Sequence, residues 1–149
     1  MSLEDNLCGK LTEEAKNAEI NRYVVGGIIY NDSSVLLLKR PKDDFMGGIY
    51  ELPSGKVETE ESLEEALQRE VHEETGLIVK TIDRYLGCFD YLSKKKEKTR
   101  QFNFAVTVKT SLNIILSEHE DYIWAKESQL KQYPVTDSVK EVLGRFWKD

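Results

Sequence analysis

Apolar positions along this chain change period several times, and each change predicts an element. Residues 23 to 30, Tyr-Val-Val-Gly-Gly-Ile-Ile-Tyr, are a near-continuous apolar run and predict a buried strand from Arg22 to Tyr30. Asn31-Asp32-Ser33-Ser34 supplies a turn into a second strand, Val35 to Arg40, which Pro41 stops. A loop over 42 to 48 leads to a short strand, Ile49 to Leu52. Two long strands, Ile78 to Leu92 and Thr99 to Thr110, are rich in Ile, Tyr, Phe and Val and flank a lysine-rich hairpin tip; another strand runs into Trp124.

Helical spacing takes over in two places. Ser62 and Glu65 form a capping box that opens a helix carrying Leu63, Ala66, Leu67 and Val71 on one side, and Gly76 is the natural left-handed stop. A second capping box, Ser138 to Glu141, predicts a last helix with Val139, Val142, Leu143 and Phe146 facing the core. One helical turn is expected at Glu127 to Lys131. Residues 1 to 19 are polar and acidic with a weak helical pattern around Leu11 to Ala18, and read as a tail or short lead-in to a single domain over 20–149. Apolar runs long enough for burial on both faces, alternating with helices, indicate an α/β fold with a mixed sheet between helices.

The first helix contains a contradiction. Turning 100° per residue from Leu63, Glu70 and Glu74 fall at the centre of the apolar arc, with Glu73 beside them. Like charges one turn apart repel, and the helix dipole disfavours anions in a last turn. A divalent cation, Mg2+ or Mn2+, would relieve both effects, since hard oxygen donors suit it. A solvated acidic face is the alternative, but it should lie opposite Leu63 and Leu67 rather than on their side.

Composition narrows the functional classes. The 149 residues carry 27 acidic and 21 basic side chains, a formal charge of −6 and a pI near 5.1. Such a surface argues against long nucleic acid as a partner, because that affinity comes mainly from neutralising phosphates. Cys8 and Cys88 have no partner motif for zinc or a disulfide framework, which fits a reducing, cytoplasmic setting. No apolar run approaches membrane-spanning length, so no membrane partner is expected.

Gly55, Glu61, Arg69-Glu70-Val71, Glu73-Glu74 and Gly76-Leu77 follow one another at the spacing of the Nudix hydrolase signature, without a gap, and the segment resembles that family, its MutT-like members in particular. A chance match at these positions is on the order of one in ten million per starting point. Ser54 stands where much of the family has a first Gly. The resemblance implies the Nudix α/β/α sandwich with a loop-helix-loop catalytic motif. It also implies metal-dependent hydrolysis of a pyrophosphate bond in a nucleoside diphosphate linked to another group, by a monomer or homodimer acting on a small nucleotide.

By the same resemblance Glu70 and Glu74 are the principal catalytic metal ligands and Glu73 a further one. Glu118, with Glu120 second, is a possible ligand or general base, and Glu70 is also a candidate base. Glu61 and Arg69 form an ion pair that fixes the loop against the helix, with Gly55 and Gly76 supporting the turn and the cap. Arg40, Arg100 and Asp137 are the expected substrate contacts, from a strand end, the return strand and the entry to the last helix. His119 reads as a loop residue and His72 as exposed. The substrate expected is a (d)NTP cleaved to NMP and pyrophosphate; the alternatives are an ADP-ribose or sugar-nucleotide pyrophosphatase and a non-catalytic nucleotide-binding module. Gly26-Gly27, inside the first strand, fits either close helix contact or approach of a ligand to the backbone.

Overall fold

A computed structural model describes residues 6–44, 46–109 and 113–148. Strands β1 (Arg22–Asn31), β2 (Ser34–Lys39), β3 (Tyr50–Glu51), β4 (Ser54–Lys56), β5 (Val79–Leu92), β6 (Lys98–Val108) and β7 (Asp121–Ala125) form one mixed sheet. Its main path is β3-β2-β1-β6-β5, with β4 on β1 and β7 on β2. β1 and β6 run parallel and the other pairs antiparallel. Thr110, the expected end of the return strand, lies outside the described residues.

Alternation along β1 divides the core. Val25 and Ile29 face helices α1 (Leu7–Asn17) and α2 (Leu63–Thr75), joining Leu11, Ala15, Leu63, Leu67, Val71, Phe102 and Phe104. Ile28 faces the other way, with Leu37, Leu52, Ala105 and the Val139, Val142, Leu143 and Phe146 stripe of α3 (Asp137–Lys148). Two helices on one face and one on the other make the α/β/α sandwich. Ahead of β1, α1 runs from Leu7, and Leu11 and Ala15 are buried against the α2 layer. The turn at Glu127–Gln132 is a 3-10 turn.

The paired glycines of β1 have separate structural reasons. A Cβ on Gly27 would meet Val71 and Leu67 at 3.3 and 3.4 Å, so Gly27 lets α2 approach the sheet. A Cβ on Gly26 would fall 2.5 Å from Gln101 and 2.6 Å from Asn103, two buried amides on the opposite face. Along one edge β1 changes partner: Val24 to Gly26 pair with β4, and Tyr30 and Asn31 with β2. Of the chain bridging that change, Glu51, Leu52, Ser54 and Gly55 line a cleft.

Candidate active site

The α2 helix starts as its sequence requires. Ser62 accepts from the Glu65 N–H, Glu65 accepts from the Ser62 N–H, and Gly76 ends the helix at φ 75° with its N–H on the His72 carbonyl at 2.8 Å. Leu63, Ala66, Leu67, Val71 and Thr75 are buried. Glu70 and Glu74 share their side but meet the Pro53–Gly55 turn in place of apolar sheet. The Ser54 N–H donates to Glu74 Oε1 at 2.7 Å, and the Glu70 carboxylate lies so close to Gly55 that a Cβ there would sit 2.0 Å from it. Gly55 therefore holds the space that Glu70 occupies.

Burial raises both carboxyl pKa values. For Glu74, desolvation outweighs the Ser54 hydrogen bond and the attraction of His119, while Glu70 and Glu51 add repulsion, and its pKa rises to about 7. For Glu70 desolvation also prevails over the Arg69 contact, and its pKa is raised.

Arg69 braces this turn from behind. Its Nε and Nη2 donate to the two Glu61 oxygens at 2.7 and 2.8 Å, Nη2 also donates to the Lys56 carbonyl at 2.9 Å, and Nη1 reaches Glu70 at 2.6 Å. The forked pair drives the Glu61 pKa down to about 2. One guanidinium thus ties the loop after β4 to the helix that carries the acids.

Glu74 opens into a cleft of about 580 Å³ on the α3 side of the sheet. Arg40, Glu51, Glu118 and His119 line it together with Arg22, Phe89, Tyr91 and Gln101. His119 Nε2 meets Glu51 Oε2 at 2.7 Å, and Arg40 Nη1 meets Glu51 Oε1 at 3.3 Å. Burial opposes charge on His119, but the Glu51 hydrogen bond and the charges of Glu74 and Glu51 outweigh it and raise its pKa. Arg40 Nε and His119 Nδ1 are buried without a hydrogen-bond partner among the described residues, and both belong to this cleft.

Residues 20–146 match the NUDIX domain family. This chain belongs to the Nudix family and is a Nudix hydrolase. Among its relatives is the CTP pyrophosphohydrolase of Escherichia coli (strain K12), 30% identical over 132 residues that span 83% of this chain and 89% of the relative. Nucleoside triphosphatase NudI of Escherichia fergusonii is 30% identical over 133 residues, 83% and 94% of the two chains. The crystal structure of the MutT protein from Methanosarcina mazei Go1 superposes with a TM-score of 0.72 at 28% identity, covering 85% of this chain and 93% of that one.

The fold rearranges the sequence assignments in this Nudix hydrolase. Glu70, Glu74, Gly55, Glu61, Arg69 and Gly76 come together at the helix and its entry loop, and Arg40 and Glu118 line the cleft. Glu73 is less central, with its side chain 56% exposed beside Arg69. Glu120 pairs with Lys39 at 3.4 Å. Arg100 does not line this cleft. Its neighbour Gln101 takes the cleft-facing position of β6, while Arg100 forms a bidentate pair with Asp90 at 2.7 and 2.9 Å on the side of Ala18 and Ile20.

Asp137 is also absent from the residues that line the cleft. The last helix is capped by Thr136, whose Oγ1 accepts from the Val139 N–H at 3.2 Å. Asp137 therefore lies in the first turn and is exposed, while Thr136 and Ser138 line the cleft. His119 lies in the loop before β7, as expected, but its side chain is only 6% exposed and lines the cleft. Glu51, Gln101 and Asn103 had no signal beyond their strands; only strand register shows which way they face.

Nudix hydrolases use a divalent metal, and the donor chemistry here fits one. Glu70 and Glu74 are oxygen donors held one turn apart, both with pKa values raised by burial, so a cation beside them would relieve that cost. Among the described residues no three His, Cys, Asp or Glu side chains already form a cage: Glu70 is turned to Arg69, Glu73 to solvent.

Proposed function

We propose that this Nudix hydrolase cleaves a (d)NTP to NMP and pyrophosphate in a Mg2+-dependent reaction, with Mn2+ as a substitute. The observation that carries the reading is the composition of one cleft, lined by half-buried Glu74, by Arg40 and Arg22, and by the aromatic pair Phe89 and Tyr91, ring centroids 6.1 Å apart. Acid for a cation, guanidinium for phosphate and rings for a base are the three chemistries that a nucleoside triphosphate demands.

Each side chain then has a task. The carboxylates alone would repel a polyphosphate, so the residues that hold charge in balance decide binding. Arg40, already bent toward Glu51 and Asp44, offers a guanidinium to a phosphate. Glu70 and Glu74, with Glu73 and Glu118 as further donors, would hold Mg2+, which when bound supplies neutralisation of phosphate oxygens and a more acidic water. Arg69 keeps Glu70 aligned and Glu61 keeps Arg69 aligned. Glu118 lines the cleft and makes no ion pair among the described residues, which supports assigning it the proton of the attacking water.

Similarity to the CTP pyrophosphohydrolase and to the nucleoside triphosphatase supports a triphosphate substrate. The test is a panel of nucleoside triphosphates and ADP-ribose with Mg2+, with products resolved in oxygen-18 water. NMP and pyrophosphate are expected. Release of orthophosphate, or hydrolysis of ADP-ribose ahead of every triphosphate, would overturn the assignment.

A further inference from the structure

Beside Gln101, which lines the cleft, β6 carries an amide whose orientation the fold locks. Asn103 is fully buried, and its Nδ2 donates to two backbone carbonyls, of Gly87 at 3.1 Å and of Gln101 at 3.3 Å. A carbonyl can only accept, so the nitrogen of Asn103 must face these two and its Oδ1 must face the other way. Gln101 Nε2 donates to that Oδ1 at 2.9 Å. The assignment therefore passes from the two carbonyls through Asn103 to Gln101, and Gln101 cannot flip without setting two acceptors against each other.

Two backbone features maintain the lock. Gly87, at φ 93°, lies in the register shift between Tyr85 and Cys88 of β5, which leaves its carbonyl off the ladder and available to Asn103. Gly26 supplies the room, because a Cβ there would fall 2.5 Å from Gln101 Nε2 and 2.6 Å from Asn103 Oδ1. The side chain so held is itself only 7% exposed and lines the substrate cleft, opposite Phe89 in register. Among the described residues Gln101 Oε1 receives no hydrogen bond, and it belongs to a residue that lines the cleft.

Resting on the triphosphatase reading above, we infer that Gln101 is a specificity-determining residue whose Oε1 accepts a hydrogen bond from an exocyclic amino group of the nucleobase, with Asn103 as its positioning residue. A mobile glutamine would turn its amide to suit an amino or an oxo base and discriminate neither. A locked one meets an oxo base acceptor to acceptor, which repels. Bases with an amino group at that edge, cytosine or adenine, are accepted, and their oxo counterparts, uracil and hypoxanthine, are rejected.

The test compares kcat/KM for CTP against UTP and for ATP against ITP, pairs that differ at the amino position, using the full chain with Mg2+. The wild-type protein is expected to favour the amino member of at least one pair by about tenfold or more. Gln101→Leu should bring that ratio to within about threefold of one. Asn103→Leu should do so by raising turnover of the oxo member, because the freed Gln101 can turn; a merely structural role would not produce that gain.

Hydrolysis of all four nucleotides at similar rates by the wild-type protein overturns the inference and leaves the proposed function standing, and the wild-type ratios need no variant to fold. A preference that survives Gln101→Leu also overturns it. A preference for 8-oxo-dGTP over dGTP that Gln101→Leu removes, without amino-oxo discrimination, would assign the accepted N–H to the ring and overturn the amino assignment. If no nucleotide is turned over, the proposed function falls, and the ratio of dissociation constants for CMP and UMP, read from shifts of the Gln101 side-chain amide by NMR, decides the inference by the same criterion.

Discussion

Replacing Glu74 by Gln removes one charge and almost no volume, and its effect on stability should reverse the usual sense of damage at an active site. In the metal-free protein the Glu74 carboxyl is pushed up from 4.5 to about 7 by burial, with Glu70 and Glu51 adding repulsion. That interval corresponds to about 3 kcal/mol of preference for the neutral group. Because the folded pKa lies above the unfolded one, the folded state loses stability as pH rises from 4.5 through about 7, and the full cost is present above that window. A Gln at 74 has no proton to lose and its oxygen can still accept from the Ser54 N–H.

In EDTA at about pH 8.5, Glu74→Gln should therefore be more stable than the wild type by about 1–3 kcal/mol, or roughly 3–10 °C in Tm for a chain of this size. Below about pH 4.5 the two proteins should melt together. With Mg2+ and a triphosphate substrate, turnover by the same variant should fall by about a hundredfold or more. Urea or thermal unfolding across this pH range, run beside a phosphate-release assay, measures both. A variant that is less stable at high pH, or one whose stability difference does not change with pH, would refute the claim that Glu74 is held as a costly buried acid.

Glu61→Gln should act in the opposite pH direction. Its carboxyl is held near 2 by Arg69, so the stabilisation is full above the ordinary 4.5 and disappears as pH falls through about 2; a loss of about 1 kcal/mol at pH 7, allowing for solvent screening, should vanish in acid unfolding curves. Gly55→Ala should displace the flexible end of Glu70, lowering kcat about tenfold or more while Tm changes by only a few degrees. Arg100→Ala should leave kcat/KM within about threefold, since Arg100 is engaged with Asp90 on the face away from the cleft, whereas Arg40→Ala should raise KM about tenfold. Steady-state kinetics on the favoured triphosphate would check all three activity effects.

Local pattern was enough to specify much of this protein. The capping box at Ser62, the stop at Gly76 and the apolar arc of Leu63, Leu67 and Val71 define α2, and each depends only on residues within a few turns. The crowding of Glu70 and Glu74 on that arc, and the brace between Glu61 and Arg69 at a separation of eight residues, were legible for the same reason. Apart from β4, whose Ser-Gly-Lys carries no apolar run, the strands followed from apolar runs, with ends displaced by a residue or two where fraying and turns decide the boundary.

What side chains face across the sheet was decided elsewhere. Strand side chains alternate, so a shift of one residue moves a group to the opposite side, and only pairing partners establish the phase. That is why the sequence did not show that Gln101 rather than Arg100 lines the cleft, and why Glu51 and His119, separated by 68 residues, showed no sign of their 2.7 Å contact. The Thr136 cap moved Asp137 onto exposed surface by the same kind of one-step change. Sequence alone determined the family, the acid-bearing helix and its brace, because those rest on short-range periodicity and caps. The tertiary structure decided the cleft's membership and the orientation of Gln101, because both depend on register between strands that meet only after the chain has folded.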